Sequence, residues 1–212
     1  MSKRFGRVTL AAVGLVLLST PGMAQLAGQP VYAIPKGTGV SLNLDAGTIL
    51  SNGVDAFDFM TLAGRATLGL PMVSFTAAFE PEVLDAFENQ LMAGAAVTVA
   101  PLPTAAVRLQ ANVGYGLDSK TLVATPGVAL TLSPPSPVLR VEPWIFPQFR
   151  VVVPDVGDTE ADFGISGGVN VGLPGGVGGH VALDYDNFSE SITAGIGLHY
   201  RITVPGLGMA GM

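Results

Sequence analysis

The chain has 212 residues, of which 49% are hydrophobic and only 12% are charged, with 28 glycines, 16 prolines and no cysteine. A mean hydropathy of +0.51 would suit membrane helices, but glycine and proline at this frequency disfavour helix. A closed β-barrel is the other structure that satisfies every backbone group in a bilayer. The composition therefore predicts a membrane barrel, and the formal net charge of −6 makes nucleic acid an unsuitable partner.

The N-terminus has the plan of a secretory signal peptide. Three basic residues precede an apolar stretch at 8–18, and small residues lead to a cleavage site between Ala24 and Gln25. The apolar stretch is too short to cross about 30 Å of hydrocarbon as a helix. We expect residues 1–24 to be removed and 25–37 to form a short N-terminal lead. The mature charge is then 7 − 16 = −9, from 7 Lys and Arg and 16 Asp and Glu.

After the lead, apolar and polar residues alternate with the period of two that is typical of β-strands. In the last such stretch, for example, Ile192 and Ile196 lie on one face and Thr193 and Arg201 on the other. The stretches run for about ten residues, which is the length of a tilted membrane strand. We predict an all-β, closed antiparallel up-and-down barrel of ten strands, with eight as the alternative. The ten strands are expected at residues 38–47, 57–70, 72–80, 91–100, 104–116, 121–132, 139–152, 161–173, 178–186 and 191–203.

Alternate connections between these strands differ in chemistry. Residues 69–72, 100–104, 133–137 and 174–179 are rich in proline or glycine and carry no charge. A barrel with its termini in the periplasm has short turns at that end and longer loops outside, so we expect short periplasmic turns and acidic extracellular loops. The other connections contain Asp55, Glu80, Glu82, Asp85, Glu88, Asp118, Asp155, Asp158, Glu160, Asp186 and Glu190.

The last strand resembles the sorting signal of outer-membrane proteins, in which a glycine is followed by hydrophobic residues at +3 and +5. Gly197, Tyr200 and Ile202 fit this spacing, although the family usually ends in Phe or Trp and here a tail, 204–212, follows the barrel at 38–203. On this pattern the chain resembles the small bacterial outer-membrane β-barrel proteins. The resemblance implies a Gram-negative-type outer membrane, lipid and the barrel-insertion machinery as partners, and no particular activity.

The alternation also predicts which charged side chains face the lumen. A charge on the lipid face costs about 2–4 kcal/mol at mid-depth, so charged residues are expected inside. Since a ten-stranded barrel is only a little wider than an eight-stranded one, which side chains fill, we expect a filled lumen rather than an arginine-lined pore. The predicted lumen residues are Arg65, Arg108, Arg140, Glu142, Arg150, Asp162, Asp184, His180, His199 and Arg201, together with Asp45.

The histidines are the first candidates for chemistry. Strand pairing across the last connection sets His180 opposite about Gly197, which makes His180 and His199 diagonal neighbours. Asp184 would be the third ligand of a metal site, but an ordinary polar network explains the same residues, and we expect no metal and no cofactor. Ten-stranded barrel proteases carry His and Asp at the extracellular rim, whereas these histidines are expected at the opposite end. We therefore predict no catalytic residues.

The clustered carboxylates of residues 154–162 resemble a hard-cation site only in composition. Ca²⁺ binds clustered oxygens, but this segment lacks the spacing of an EF-hand loop. We interpret it as a solvated acidic loop.

The stretch 139–152 is the least regular of the predicted strands. Pro143 and Pro147 each remove a strand hydrogen bond, and the alternation turns Trp144 and Phe146 inward. We expect a bulge, a kink or a local change of face there.

Three functions fit these patterns. The first is a non-enzymatic outer-membrane barrel with a structural, surface or minor passive-transport role. The second is a narrow channel for small solutes, and the third is a soluble periplasmic β-sandwich, because sandwich strands also alternate.

Overall fold

The computed structural model describes residue 26 and residues 28–35, 37–50, 59–83, 87–136, 138–187 and 190–202. The expected signal peptide at 1–24 and the tail at 204–212 lie outside this part of the chain. Ten strands follow one another: β1 (Gly39–Leu50), β2 (Thr61–Gly69), β3 (Val73–Glu80), β4 (Gln90–Pro101), β5 (Ala105–Gly116), β6 (Leu122–Leu132), β7 (Arg140–Val153), β8 (Glu160–Gly172), β9 (Val177–Asp186) and β10 (Ser191–Ile202).

The ten strands form one closed antiparallel barrel. Each strand pairs with its neighbours in the chain, and β1 closes the sheet against β10, with Val40 opposite Ile202 and Leu50 opposite Ile192. The ten-stranded prediction is confirmed, and closure excludes both the eight-stranded alternative and the sandwich. Among the described residues there is no helix long and apolar enough to cross a membrane.

The outer face of the barrel is apolar. Along β2, buried and exposed residues alternate without interruption from Thr61 to Gly69. Large apolar side chains stand on the exposed positions of every strand, among them Leu44, Ile196 and Leu198, each more than 60% exposed. A soluble monomer rarely exposes a contiguous apolar surface of this extent, whereas a barrel in a bilayer requires one.

The two ends of the barrel differ. At one end, which we call the turn end, β1 begins, β10 ends, and the uncharged connections around Pro71, Pro103, Pro135 and Pro174 join the strands. At the other end, the loop end, the acidic connections lie. The described carboxylates there are Glu80, Glu82, Glu88, Asp118, Asp155, Asp158, Glu160, Asp162, Asp186 and Glu190.

The bulge or change of face expected in β7 does not occur. Its alternation of buried and more exposed residues runs from Val141 to Val153, and its pairing with β8 runs without a shift from Arg140 to Val152. The register shift lies instead between Thr98 and Ala100 of β4. The prolines affect the other edge, because the pairs between β6 and β7 include none of Pro126, Pro143 and Pro147. The prediction of a bulge or face switch was therefore wrong, since β7 keeps its register through its partner on one side.

The lead before β1 runs through the lumen. Leu26 and residues 28–35, which we call the plug, are buried apart from Pro35, which is partly exposed. The plug starts at the loop end, where Gly28 lies against Thr61, and reaches the turn end, where Gly37 lies beside Arg201 and Gly69. Gly37 and Gly39 then take positive φ angles of 111° and 121°, a region that glycine adopts without strain, and the chain turns back into β1.

Candidate functional site

The lumen is the candidate functional site, and its loop half is closed by side chains of the wall. Arg150 on β7 bonds Asp184 at 2.7 Å and Asp186 at 2.5 Å, both on β9. Gln148 and Ser166 also donate to Asp184, at 3.1 and 2.5 Å. All five side chains are buried, and their hydrogen bonds join β7, β8 and β9 into one polar layer.

A second cluster lies in the middle of the lumen and includes a plug residue. Arg65 makes a two-point contact with Asp45, at 2.8 and 3.3 Å, and His180 Nε2 lies 2.8 Å from the same carboxylate. The Arg65 guanidinium stands over the ring of Tyr32, 4.4 Å from its centroid, and the Tyr32 and His180 rings meet edge to face at 4.9 Å. A guanidinium over an aromatic ring is attractive, so the wall and the plug are joined here.

In the turn half, three wall side chains hold the plug by its backbone: those of Gln110 and Arg108, and that of Ser74, which donates to the Pro35 carbonyl at 3.2 Å. Gln110 donates to the Tyr32 carbonyl at 2.9 Å and accepts from the Ile34 amide at 2.8 Å, as a neighbouring strand would. Arg108 donates to the Ile34 carbonyl at 2.5 Å and to the Ser74 hydroxyl at 2.9 Å. Arg108 is fully buried and makes no salt bridge with any described carboxylate. The Ile34 carbonyl of the plug therefore supplies one of the hydrogen bonds that replace water around the guanidinium group.

Apolar contacts also hold the plug against the wall. Val31, Tyr32 and Ala33 form one buried cluster with Trp144 and Phe146 of β7, together with Ala129 and Ala182. The inward aromatic residues of β7, which look misplaced in a polar lumen, therefore pack against the plug. Two residues of the plug, Pro30 and Pro35, are prolines and lack amide hydrogens. This reduces the number of backbone donors that need a partner in the lumen.

Two inward glycines make room for the plug. A Cβ atom at Gly47 would lie 2.2 Å from the Gly28 carbonyl oxygen, and one at Gly195 would lie 2.4 Å from the Tyr32 hydroxyl oxygen. Neither separation is compatible with a side chain unless the plug moves.

The turn end is less densely filled. Arg140 donates to Glu142 at 2.6 Å, and Ser133 donates to the same carboxylate at 2.8 Å. The rings of His180 and His199 stack at 6.1 Å, in the predicted register of His180 opposite Gly197. Between the plug and this part of the wall a cavity of about 340 Å³ remains, and Arg201 is among its lining residues.

The remaining predicted residues lie apart from the lumen clusters. Asp162 is at the loop end, where it accepts from the Asn187 side chain at 2.9 Å and from the Phe163 amide. Gly197 faces inward, whereas Tyr200 and Ile202 are exposed on the outer face of β10. No group of three or more His, Cys, Asp or Glu residues suited to a metal ion occurs in the described part of the chain.

Sequence reasoning placed the wall residues but treated 25–37 only as a lead. The side chains that hold the plug and were not singled out are Gln29, Tyr32, Ser74 and Gln110. The available signal was indirect: two large aromatic side chains, Trp144 and Phe146, face inward, and among strand residues only the small side chains of Ala129 and Ala182 join their described cluster.

No protein-family model and no curated protein matches the sequence. Among solved structures, the chain is similar to a de novo designed transmembrane β-barrel, with 14% identity, 80% of this chain and 100% of that chain covered, and a TM-score of 0.41. It is also similar to the KdgM porin in complex with disordered oligogalacturonate, with 8% identity, 76% and 99% covered, and a TM-score of 0.43. A mutant Rh. blastica porin matches at 18% identity and a TM-score of 0.32, with 78% of this chain and 52% of the porin covered. At these identities the likeness concerns the barrel fold alone.

Proposed function

We propose that this protein is a non-enzymatic outer-membrane barrel that its own N-terminal segment keeps closed, and that its role is structural or at the cell surface. The observation that carries the proposal is the plug, which runs from the loop end to the turn end and is bonded to the wall by Arg108 and Gln110. A barrel with a bonded segment along its axis does not offer a continuous water path.

Conductance across planar bilayers tests closure. The full-length mature barrel should show no steps above leak, and a variant lacking residues 25–35 should show them. If that variant does not fold, Arg108→Met combined with Gln110→Ala and Ser74→Ala removes the three wall side chains that bond the plug backbone in the turn half, and the same steps are expected. Steps of stable size from the unaltered barrel would contradict the proposal.

The proposed location follows from the apolar outer face and the difference between the ends. In this proposal residues 1–24 are cleaved, Gly197, Tyr200 and Ile202 direct the barrel-insertion machinery, and the acidic loop end faces the outside. Purified outer membranes should contain a form whose mobility on SDS gels changes on boiling and which urea does not release. Release by urea without a mobility shift would contradict membrane insertion.

A narrow channel for small solutes is the second candidate function. The cavity of about 340 Å³ favours it, because it shows that the lumen is not filled along its whole length. The conductance experiment distinguishes the two candidates.

A further inference from the structure

The cavity at the turn end has the construction of a binding site. The plug residues Tyr32, Ala33 and Pro35 form one side of it, and wall residues of β1, β2 and β7 to β10 form the other. Its volume of about 340 Å³ lies at the small end of the range for ligand pockets, about 300–1,000 Å³. A molecule of the size of citrate or a sugar phosphate would fit.

The charge of this cavity is opposite to that of the chain. Among the described residues, three guanidinium groups line it, those of Arg65, Arg140 and Arg201, and one carboxylate, that of Glu142. Asp45, which bonds Arg65, adds a second carboxylate next to the lining. The local sum is then 3 − 2 = +1 with neutral histidines, in a chain of net charge −6.

The neutral lining also favours an anion. Asn170 and His199 contribute amide and imidazole groups that can donate hydrogen bonds, whereas the Asn43 amide already donates to the Arg65 carbonyl and His180 Nε2 lies on Asp45. Arginine forks match the oxygens of carboxylate and phosphate groups. The two imidazoles stack 6.1 Å apart on neighbouring strands, which sets their positions in the wall.

We propose that the turn-end cavity binds a small, oxygen-rich organic anion that carries carboxylate or phosphate groups. The inference rests on the proposed function, because the plug must stay in the lumen to form one side of the site. The ligand enters from the turn end, and the plug prevents it from passing through. The barrel then acts as a receptor or store for the anion on the side of the membrane that the turn end faces.

Calorimetric titration of the detergent-refolded, full-length mature barrel with citrate tests the site, with uncharged glucose as the comparison ligand. Citrate should bind, glucose should not, and added NaCl should weaken the binding because salt screens exposed charges. Arg201→Gln should weaken citrate binding at least about tenfold, the usual scale for a lost bond to a charged group. Glu142→Gln removes the negative charge and keeps an acceptor for Ser133, so it should tighten binding by roughly two- to fivefold.

The control is Lys120→Asn, which removes a cation at the loop end, where Lys120 has a φ of 52° that asparagine tolerates. Citrate binding should be unchanged in this variant. The inference is overturned if a non-conducting barrel gives no citrate heat, if glucose binds equally well, or if Lys120→Asn weakens binding as much as Arg201→Gln. Conductance measured on the same preparation tests the proposed function separately, so the failure of one is distinguishable from the failure of the other.

Discussion

Two buried arginines in the same lumen have different kinds of partner for their positive charge. Arg150, in the loop half, bonds Asp184 and Asp186, both of which belong to the wall. Arg108, in the turn half, bonds the Ile34 carbonyl of the plug, the Ser74 hydroxyl and the Ala96 carbonyl, and no described carboxylate. The comparison teaches that the charge of Arg150 is compensated within the wall, whereas the buried charge of Arg108 depends on the plug for part of its hydrogen bonding.

Removing the cation from the loop half should have the largest effect. Arg150→Met leaves Asp184 and Asp186 buried without this partner, and breaking a buried ion pair costs about 3–5 kcal/mol. Urea unfolding in lipid should show a loss of this size. Adding Asp186→Asn should recover part of it, because the double variant removes one of the two stranded charges. An Arg150→Met barrel as stable as the unaltered one would show that the polar layer does not hold the wall.

Removing Arg108, the buried cation of the turn half, should release the plug and lower the free energy of unfolding by less than removing Arg150. Arg108→Met strands no carboxylate, so we expect a loss of roughly 1–3 kcal/mol, the range for a buried acceptor left without its donor. Trp144, the single tryptophan of the chain, packs against the plug. Its fluorescence should therefore shift to the red as water enters. The Arg150→Met barrel, measured below its unfolding transition, is the control and should keep the blue emission. Equal shifts in the two variants would remove the distinction between the halves.

A steric change should sharpen the comparison with an effect no larger than that of Arg108→Met. Gly195→Ala places a Cβ atom 2.4 Å from the Tyr32 hydroxyl oxygen, and overpacking typically costs about 1–3 kcal/mol. Gly64→Ala is the matched control, because Gly64 has no atom within 4 Å of its Cβ position and faces outward. Urea midpoints should fall for Gly195→Ala and stay within error for Gly64→Ala. Equal midpoints for the two variants would mean that the plug does not lie against Gly195.

The wall could be predicted from the sequence because lipid on one side imposes a strict period of two. Arg150 and Asp184 were placed inside on that basis, and the register of His180 opposite Gly197 is confirmed. The alternation of β7 also pointed Trp144 and Phe146 inward, but the prolines suggested a bulge or a change of face, which the continuous pairing with β8 contradicts.

The plug could not be predicted in the same way. A segment that lies along the barrel axis makes contacts all around itself, so residues 28–35 have no polar side and no period. Their composition, Gly-Gln-Pro-Val-Tyr-Ala-Ile-Pro, reads as a linker. The partners in the wall are distant in sequence, as for Ile34 and Gln110, and only the closed barrel brings them together.

The most direct test of the account is the accessibility of a single cysteine placed in the plug. The chain has no cysteine, and Val31→Cys changes a residue that is 2% exposed, whereas Val156→Cys changes one that is 88% exposed at the loop end. In the folded barrel a water-soluble maleimide should label Cys at 156 rapidly and leave Cys at 31 unmodified until the barrel is unfolded. Labelling at similar rates in the folded state would contradict the central claim that the N-terminal segment fills the lumen.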